Sequence, residues 1–196
     1  MIKKIVEYFN NVWYSKFRIG KLKVRGGVMK KKFSALDFAN WFLWYNQVQQ
    51  MKLVNDDYDV YEGLTHLKIQ KLLYFADGVN LVINDEPLFN EKIYAWPHGP
   101  VVKIVYETLY IYKSDEIKFD DANFEIIKKI NDDAELYEVL TTVYDNYAGY
   151  TAWQLREKSH VVGGPWQVTV DTKGMQKEID RKLIKEYFKE NIVKYE

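Results

Sequence analysis

The chain has 196 residues, 47% of them hydrophobic, which suffices for one domain with a substantial core. It has no cysteine, which excludes disulfides, thiol catalysis and Cys-ligated zinc or iron–sulfur centres. Its zero net charge hides an asymmetry: of 28 basic and 28 acidic side chains, residues 1–32 carry ten and one, so a basic arm precedes an acidic body.

No apolar run reaches the roughly 20 residues that span a bilayer, and Lys3, Lys4, Glu7, Asn10 and Asn11 interrupt any secretory core. The expectation is a cytoplasmic protein with no membrane partner. Only the basic residues 1–32 have the charge to attract nucleic acid; from Met29 onward no helix is studded with Arg and Asn or Gln. Arg25-Gly26-Gly27-Val28 ahead of Met29-Lys30-Lys31-Lys32 reads as the in-frame trace of a ribosome-binding site before an ordinary bacterial start. Residues 1–28 are therefore expected to be a basic extension outside the functional domain, which spans 29–196. With 16 Tyr, 10 Phe and 6 Trp, the chain carries either an aromatic contact surface or simply a composition biased toward Lys, Asn, Ile and Tyr.

Ser34 and Asp37 form a capping-box-like start, and Phe38, Trp41, Phe42 and Tyr45 follow at helical spacing, so a helix is expected over 35–50. Residues 55–63 are polar and end in glycine, as a loop does. Thr65 can cap a second helix whose apolar face is Ile69, Leu72, Leu73, Ala76, Val79 and Ile83, stopping at Asn84-Asp85-Glu86-Pro87. Residues 91–96 alternate as a short strand, and Glu116-Ile117-Lys118-Phe119 is expected to pair with it. Pro100 sits where a first-turn proline belongs, ahead of a helical stripe of Val102, Val105, Tyr106 and Leu109. Further helices are expected over 123–130, from Asp132 and Glu135 onward, and from a Thr151/Gln154 capping box to about Ser159. Gly163-Gly164-Pro165-Trp166 is expected to be a turn, followed by a final amphipathic helix carrying Ile179, Leu183, Tyr187 and Phe188. The fold class is mainly α: a compact single helical domain with one small β-hairpin-like element.

Four blocks carry more than periodicity. They are residues 34–42, the run Leu67-Lys68-Ile69-Gln70-Lys71-Leu72-Leu73-Tyr74-Phe75, residues 87–102 with Trp96-Pro97-His98-Gly99-Pro100 and then Tyr106, and Tyr150-Thr151-Ala152-Trp153-Gln154-Leu155 with Ser159-His160 and Pro165-Trp166. In this order and spacing the chain resembles the SocA-like antitoxin family, also called the Panacea domain, from about Ser34 to Phe188. The resemblance implies a prokaryotic or phage-associated antitoxin that neutralises a co-encoded toxin by direct binding, in a family whose members pair with chemically unrelated toxins. It also implies a second mode, an adapter that delivers its client to a cytoplasmic protease. It supplies no catalytic residue, metal or cofactor. The candidate partner-binding or motif residues are Trp96, His98, Gly99, Pro100, Tyr106, Trp153, His160 and Trp166.

A metal- or nucleotide-dependent phage enzyme using His98 and His160, with Asp77 or Asp85 near, is the alternative of another class. No HExxH spacing, nucleophile elbow or phosphate-cradling glycine loop accompanies them, so each histidine is expected to be structural. Trp96 and Trp166 are expected to be buried where their two segments pack together. Recognition then falls to exposed aromatics nearby, such as Tyr110 and Tyr112.

Overall fold

A computed structural model describes residues 17–19, 33–54 and 63–195. Within them lie eight α-helices and one small antiparallel hairpin. The expected boundary at residue 28, and all but Gly63 of the expected loop over 55–63, fall outside the described residues.

Helix α1 (Ala35–Val54) starts at a reciprocal cap. The Asp37 N–H donates to Ser34 Oγ at 3.2 Å, and the Ser34 N–H returns to Asp37 Oδ2 at 2.7 Å. Helix α2 (His66–Asn84) is capped by Thr65, whose Oγ1 accepts from the Lys68 N–H, and closes on Asp85 in the left-handed region just before Pro87. Every residue of α2 from Lys68 to Asn84 is buried, polar ones included. A helix buried all round must be the axis of the domain, and helices from both ends of the chain pack on it.

Strands β2 (Ile93–Trp96) and β3 (Gly99–Val102) form the hairpin, with Trp96 opposite Gly99 and Ile93 opposite Val102 across a Pro97-His98 turn. Here two expectations are corrected. Pro100 lies in β3, and α3 (Lys103–Leu109) begins only after it. A proline has the same φ in a helix's first turn as on a strand edge, where its missing N–H costs nothing. Residues 116–119 are not strand partners of β2; the Ile117 N–H instead donates to the Leu64 carbonyl. The far edge of β2 is covered by residues 176–179: the Ala95 N–H donates to Lys177 O at 2.8 Å, and Gln176 N–H donates to Ala95 O at 2.7 Å.

A 3₁₀ turn (Tyr110–Tyr112) follows α3, and then α4 (Phe124–Asn131), α5 (Ala134–Tyr147) and α6 (Ala152–Ser159). The cap of α5 is Asp133, one residue past Asp132. The Thr151/Gln154 capping box forms in full, with Thr151 N–H on Gln154 Oε1 and Gln154 N–H on Thr151 Oγ1. The segment expected to be a turn at 163–166 opens α7 (Pro165–Lys173), with Pro165 at its first position. The chain closes with α8 (Arg181–Asn191) and β4 (Val193–Tyr195), which pairs in parallel with β1 (Phe17–Ile19).

Among the described residues, nine aromatic side chains are buried in the core. Phe75 stacks on Tyr147 at 4.0 Å and Trp41 on Tyr45 at 4.8 Å. The Trp41 indole N–H reaches Asn131 Oδ1 and the Tyr144 hydroxyl reaches Asn46 Oδ1, both at 2.7 Å, so these buried polar tips are satisfied. On α2, Gly78 lets the Phe188 ring lie against the helix backbone; a Cβ there would sit 2.3 Å from the ring.

Asp77, fully buried on α2, ties the C-terminal helix to the loop before the hairpin. Its Oδ2 accepts from Arg181 Nε at 2.9 Å and its Oδ1 from the Leu88 N–H at 2.8 Å. Arg181 Nη2 also donates to the carbonyls of Phe89 and Glu91. Removing one member of a buried ion pair costs about 3–5 kcal/mol, because the other is left uncompensated in low dielectric. Arg181→Met should therefore lower unfolding free energy by about that amount in urea titrations; a loss under about 1 kcal/mol would show that the pair does not hold the two elements together.

Candidate functional site

Three of the four sequence blocks singled out above, those holding Gln70 and Lys71, Trp96 to Tyr106, and Trp153 to Trp166, meet at one end of α2. Gln70 and Lys71, side by side on that helix and both buried, terminate the outer edge of β3. The Val102 N–H donates to Gln70 Oε1 at 2.7 Å and Gln70 Nε2 donates to the Val102 carbonyl at 3.3 Å. Lys71 Nζ donates to the Pro100 carbonyl at 3.0 Å. Because Pro100 has no N–H, these three bonds satisfy every outward backbone group of Pro100 and Val102.

Gly99 makes the turn possible. Its φ of +102° suits glycine, and a Cβ would lie 2.7 Å from Lys71 Nζ, 2.7 Å from Ser159 Oγ and 3.0 Å from His160 Cε1. The C-terminal end of α6 therefore presses directly on the hairpin. Ser159 Oγ donates to the Arg156 carbonyl at 2.7 Å, and His160 Nδ1 contacts that same oxygen at 2.7 Å, which fixes its proton on Nδ1. The His160 ring lies 3.8 Å from that of Trp166, whose indole N–H donates to the Trp96 carbonyl at 2.8 Å.

Two aromatic groups flank this corner. Trp96 packs on Tyr106 at 4.8 Å, Tyr106 on Tyr110 at 5.1 Å, and His66 meets both tyrosines edge-on. On the other side of the hairpin turn, His98 faces Trp153 at 6.3 Å, and the Arg156 guanidinium lies over the Trp153 ring at 4.7 Å. Trp153 is 58% exposed, and Tyr110 and Ile111 are 54% and 74% exposed. Tyr110 and Tyr112 are thus exposed as expected. Trp96 and Trp166, expected to be buried, are half-buried.

Burial pushes the Lys71 amine down to about 7, with Arg156's charge adding to the effect. Burial likewise lowers His66, helped by Lys71 and His98. It lowers His160 too, and the Arg156 and Pro97 carbonyls, which favour the protonated ring, only partly offset it.

All eight residues expected to matter, Trp96, His98, Gly99, Pro100, Tyr106, Trp153, His160 and Trp166, lie at this corner. Gln70, Lys71, Arg156 and Ser159, whose contacts tie the corner together, are missing from that set; the polar Gln70-Lys71 pair amid apolar neighbours is the signal for the first two, and the last two leave none. His98 and His160 are not joined by Asp77 or Asp85, which pair with Arg181 and Lys185 respectively. Among the described residues no group of three or more His, Asp or Glu is placed to hold a metal ion, and no helix is long and apolar enough to cross a membrane. A separate open groove of about 670 Å³, between Phe33, Ile126 and Asp133, includes none of the corner residues.

Residues 69–167 match the family described as antitoxin SocA-like, Panacea domain. The chain is similar to the protein named Antitoxin SocA of Caulobacter vibrioides (strain NA1000 / CB15N), at 33% identity over 136 residues, which covers 64% of this chain and 72% of that one. No solved structure matches the chain.

Two outcomes test the corner. Gly99→Ala should destabilise the fold by about 1–3 kcal/mol, from a left-handed backbone and overpacking together; an unchanged midpoint in urea would count against the close approach. Lys71 binds a proton less readily folded (about 7) than unfolded (10.5). Its contribution therefore penalises the folded state fully below about pH 7, and stability rises with pH from there toward 10.5 by up to about 1.4 kcal/mol per unit. Measured from about pH 7 to 9.5, wild type should gain about 1–3 kcal/mol relative to Lys71→Met; parallel curves would mean that Lys71 is charged in the fold.

Proposed function

The chain belongs to the SocA-like antitoxin, Panacea-domain family, and on that premise we propose that it is the antitoxin of a toxin–antitoxin pair, neutralising a co-encoded toxin by direct, stoichiometric contact of the type II kind. The observation that carries this reading is the corner itself. Its backbone is fixed by Gln70, Lys71 and the His160–Trp166 stack, while Trp153 and Tyr110 stand exposed upon it. A large exposed indole on a rigid support is poorly explained by folding alone. It matches what a binding anchor needs: buried area gained at little entropic cost, because the support is already ordered.

In this mechanism the toxin's active region is covered by the face that runs from Trp153 and His98 across the hairpin turn to Tyr106 and Tyr110. The protein contributes no bond-making step. Trp153 supplies apolar area, Arg156 holds the indole in orientation, and the hairpin presents His98 at a fixed height beside it.

Co-expression with the neighbouring reading frame should restore growth that this frame alone suppresses, and the two products should elute as one complex. Trp153→Ala, at an exposed position, should leave the thermal midpoint within a few degrees of wild type. It should weaken the complex about 30-fold or more, as loss of an anchor worth about 2 kcal/mol implies. A neighbour that is not toxic would overturn the antitoxin reading; full neutralisation by Trp153→Ala would move the contact to another face.

A further inference from the structure

Helix α6, which carries Trp153, is lightly held. Of its eight residues only Leu155 and Ser159 are buried. Gly149 before it and Gly163 after it have open space where a Cβ would stand, so the backbone at both positions can change its angles without a clash. What seats α6 on the hairpin is therefore concentrated at its C-terminal end. Gly99 passes so close there that a Cβ would meet Lys71 Nζ, Ser159 Oγ and His160 Cε1 together.

Four elements surround the His160 ring. On α6 the Arg156 carbonyl accepts its Nδ1 proton at 2.7 Å, Ser159 Oγ lies 3.2 Å from the same nitrogen, and the Arg156 guanidinium acts on the ring. The hairpin turn presents the Pro97 carbonyl, α2 presents the Lys71 amine, and the Trp166 ring of α7 lies 3.8 Å away. Nε2 is buried without a partner. Glu157 meets Arg156, and among the described residues no carboxylate acts on the imidazole itself. The two carbonyls favour a charged ring; burial first, then Arg156 and Lys71, oppose it and prevail. A closed seam therefore binds a proton at His160 more weakly than an open, solvated one, and by linkage acid shifts the balance toward opening.

We propose that the seam between α6 and the hairpin turn is a latch that acid opens. With His160 neutral, the end of α6 is seated on Gly99 and on the His160–Trp166 stack. When His160 takes a proton, the imidazolium moves to solvent, the end of α6 lifts off the turn, and the chain pivots at Gly149 and Gly163. Trp153 and Arg156 then leave their places beside His98, so the exposed face is dismantled while α2 and the core around it stay folded. The latch belongs to the chain alone; its consequence, release of a bound toxin in acid, rests on the antitoxin reading.

The test follows the full chain from about pH 7 to about pH 5 by nuclear magnetic resonance. The His160 Cε1 resonance reports its titration, and amide protection factors, corrected for the intrinsic pH dependence of exchange, report each helix. Protection across α6 should fall about threefold or more as His160 titrates, while that of α2 and α8 holds. His160→Asn keeps a donor for the Arg156 carbonyl and cannot charge; its α6 protection should stay flat, although Lys71, His66 and His98 still titrate. Constant α6 protection across the wild-type titration, a parallel fall in α2, or the same fall in His160→Asn would each overturn the latch, and the first two are read from wild type alone. A second arm uses the neighbouring frame's product: its binding to wild type should weaken about threefold or more over the same range, and its binding to His160→Asn should not. Equal weakening of both would overturn the acid release, whereas a neighbour that is not toxic would overturn the antitoxin reading and leave the latch standing.

Discussion

The outer edge of β3 is where the fold and the candidate site depend on the same atoms. A two-stranded hairpin is marginal on its own, and its unpaired edge would be an invitation to aggregate. Here a helix, in place of a third strand, completes that edge: Gln70 offers the donor and acceptor that a strand would offer Val102, and Lys71 takes the remaining carbonyl of Pro100. An orphaned buried backbone group costs about 1–3 kcal/mol, so three of them together exceed what the hairpin could tolerate. The requirement runs in both directions, since Gln70 and Lys71 are bearable in the interior of α2 only because β3 presents groups for them. Everything that stands on the hairpin, from the Pro97-His98 turn to the start of α3, inherits its position from this pairing.

How far the chain could be understood before its structure follows from how local each signal is. Caps and helical stripes involve residues three or four apart, and α1, α2, α5 and α6 lie where Ser34, Thr65, the acidic residues at 132–135 and Thr151 place them. Strand pairing is non-local. Gly99-Pro100-Val101-Val102 is a poor strand by propensity and becomes one only because Gln70 and Lys71, some thirty residues earlier, wait for its edge. The same proline logic misleads in the opposite direction at Gly163-Gly164-Pro165-Trp166, where the glycines suggest a turn and Pro165 in fact opens α7. The site was legible as a set of motif blocks, yet its electrostatics were not, because neither the burial of Lys71 nor the nearness of His66 to His98 leaves a trace in spacing.

Two kinds of aromatic side chain coexist in the molecule, and their surroundings distinguish them. Trp41, Tyr144 and Tyr147 lie in the core, the first two with hydrogen-bonded polar tips. Burial raises the Tyr147 hydroxyl far above the ordinary tyrosine range, so it stays neutral. Trp96, Tyr106 and Trp166 are half-buried at the corner, and Trp153 is more exposed still. The corner is thus graded from the fully buried Lys71 outward to the exposed Trp153.

The way in which the hairpin is held has an evolutionary corollary. Gln70, Lys71, Trp166 and residues 176–179 grip it almost entirely through its main-chain N–H and C=O groups. Such a grip is indifferent to the identity of the side chains at the tip, so Pro97, His98 and their exposed neighbours can be exchanged while the backbone path stays the same. A scaffold of this kind separates the residues that make it fold from those that determine what it meets. It allows the second set to drift, lineage by lineage, toward new partners with little cumulative loss of stability.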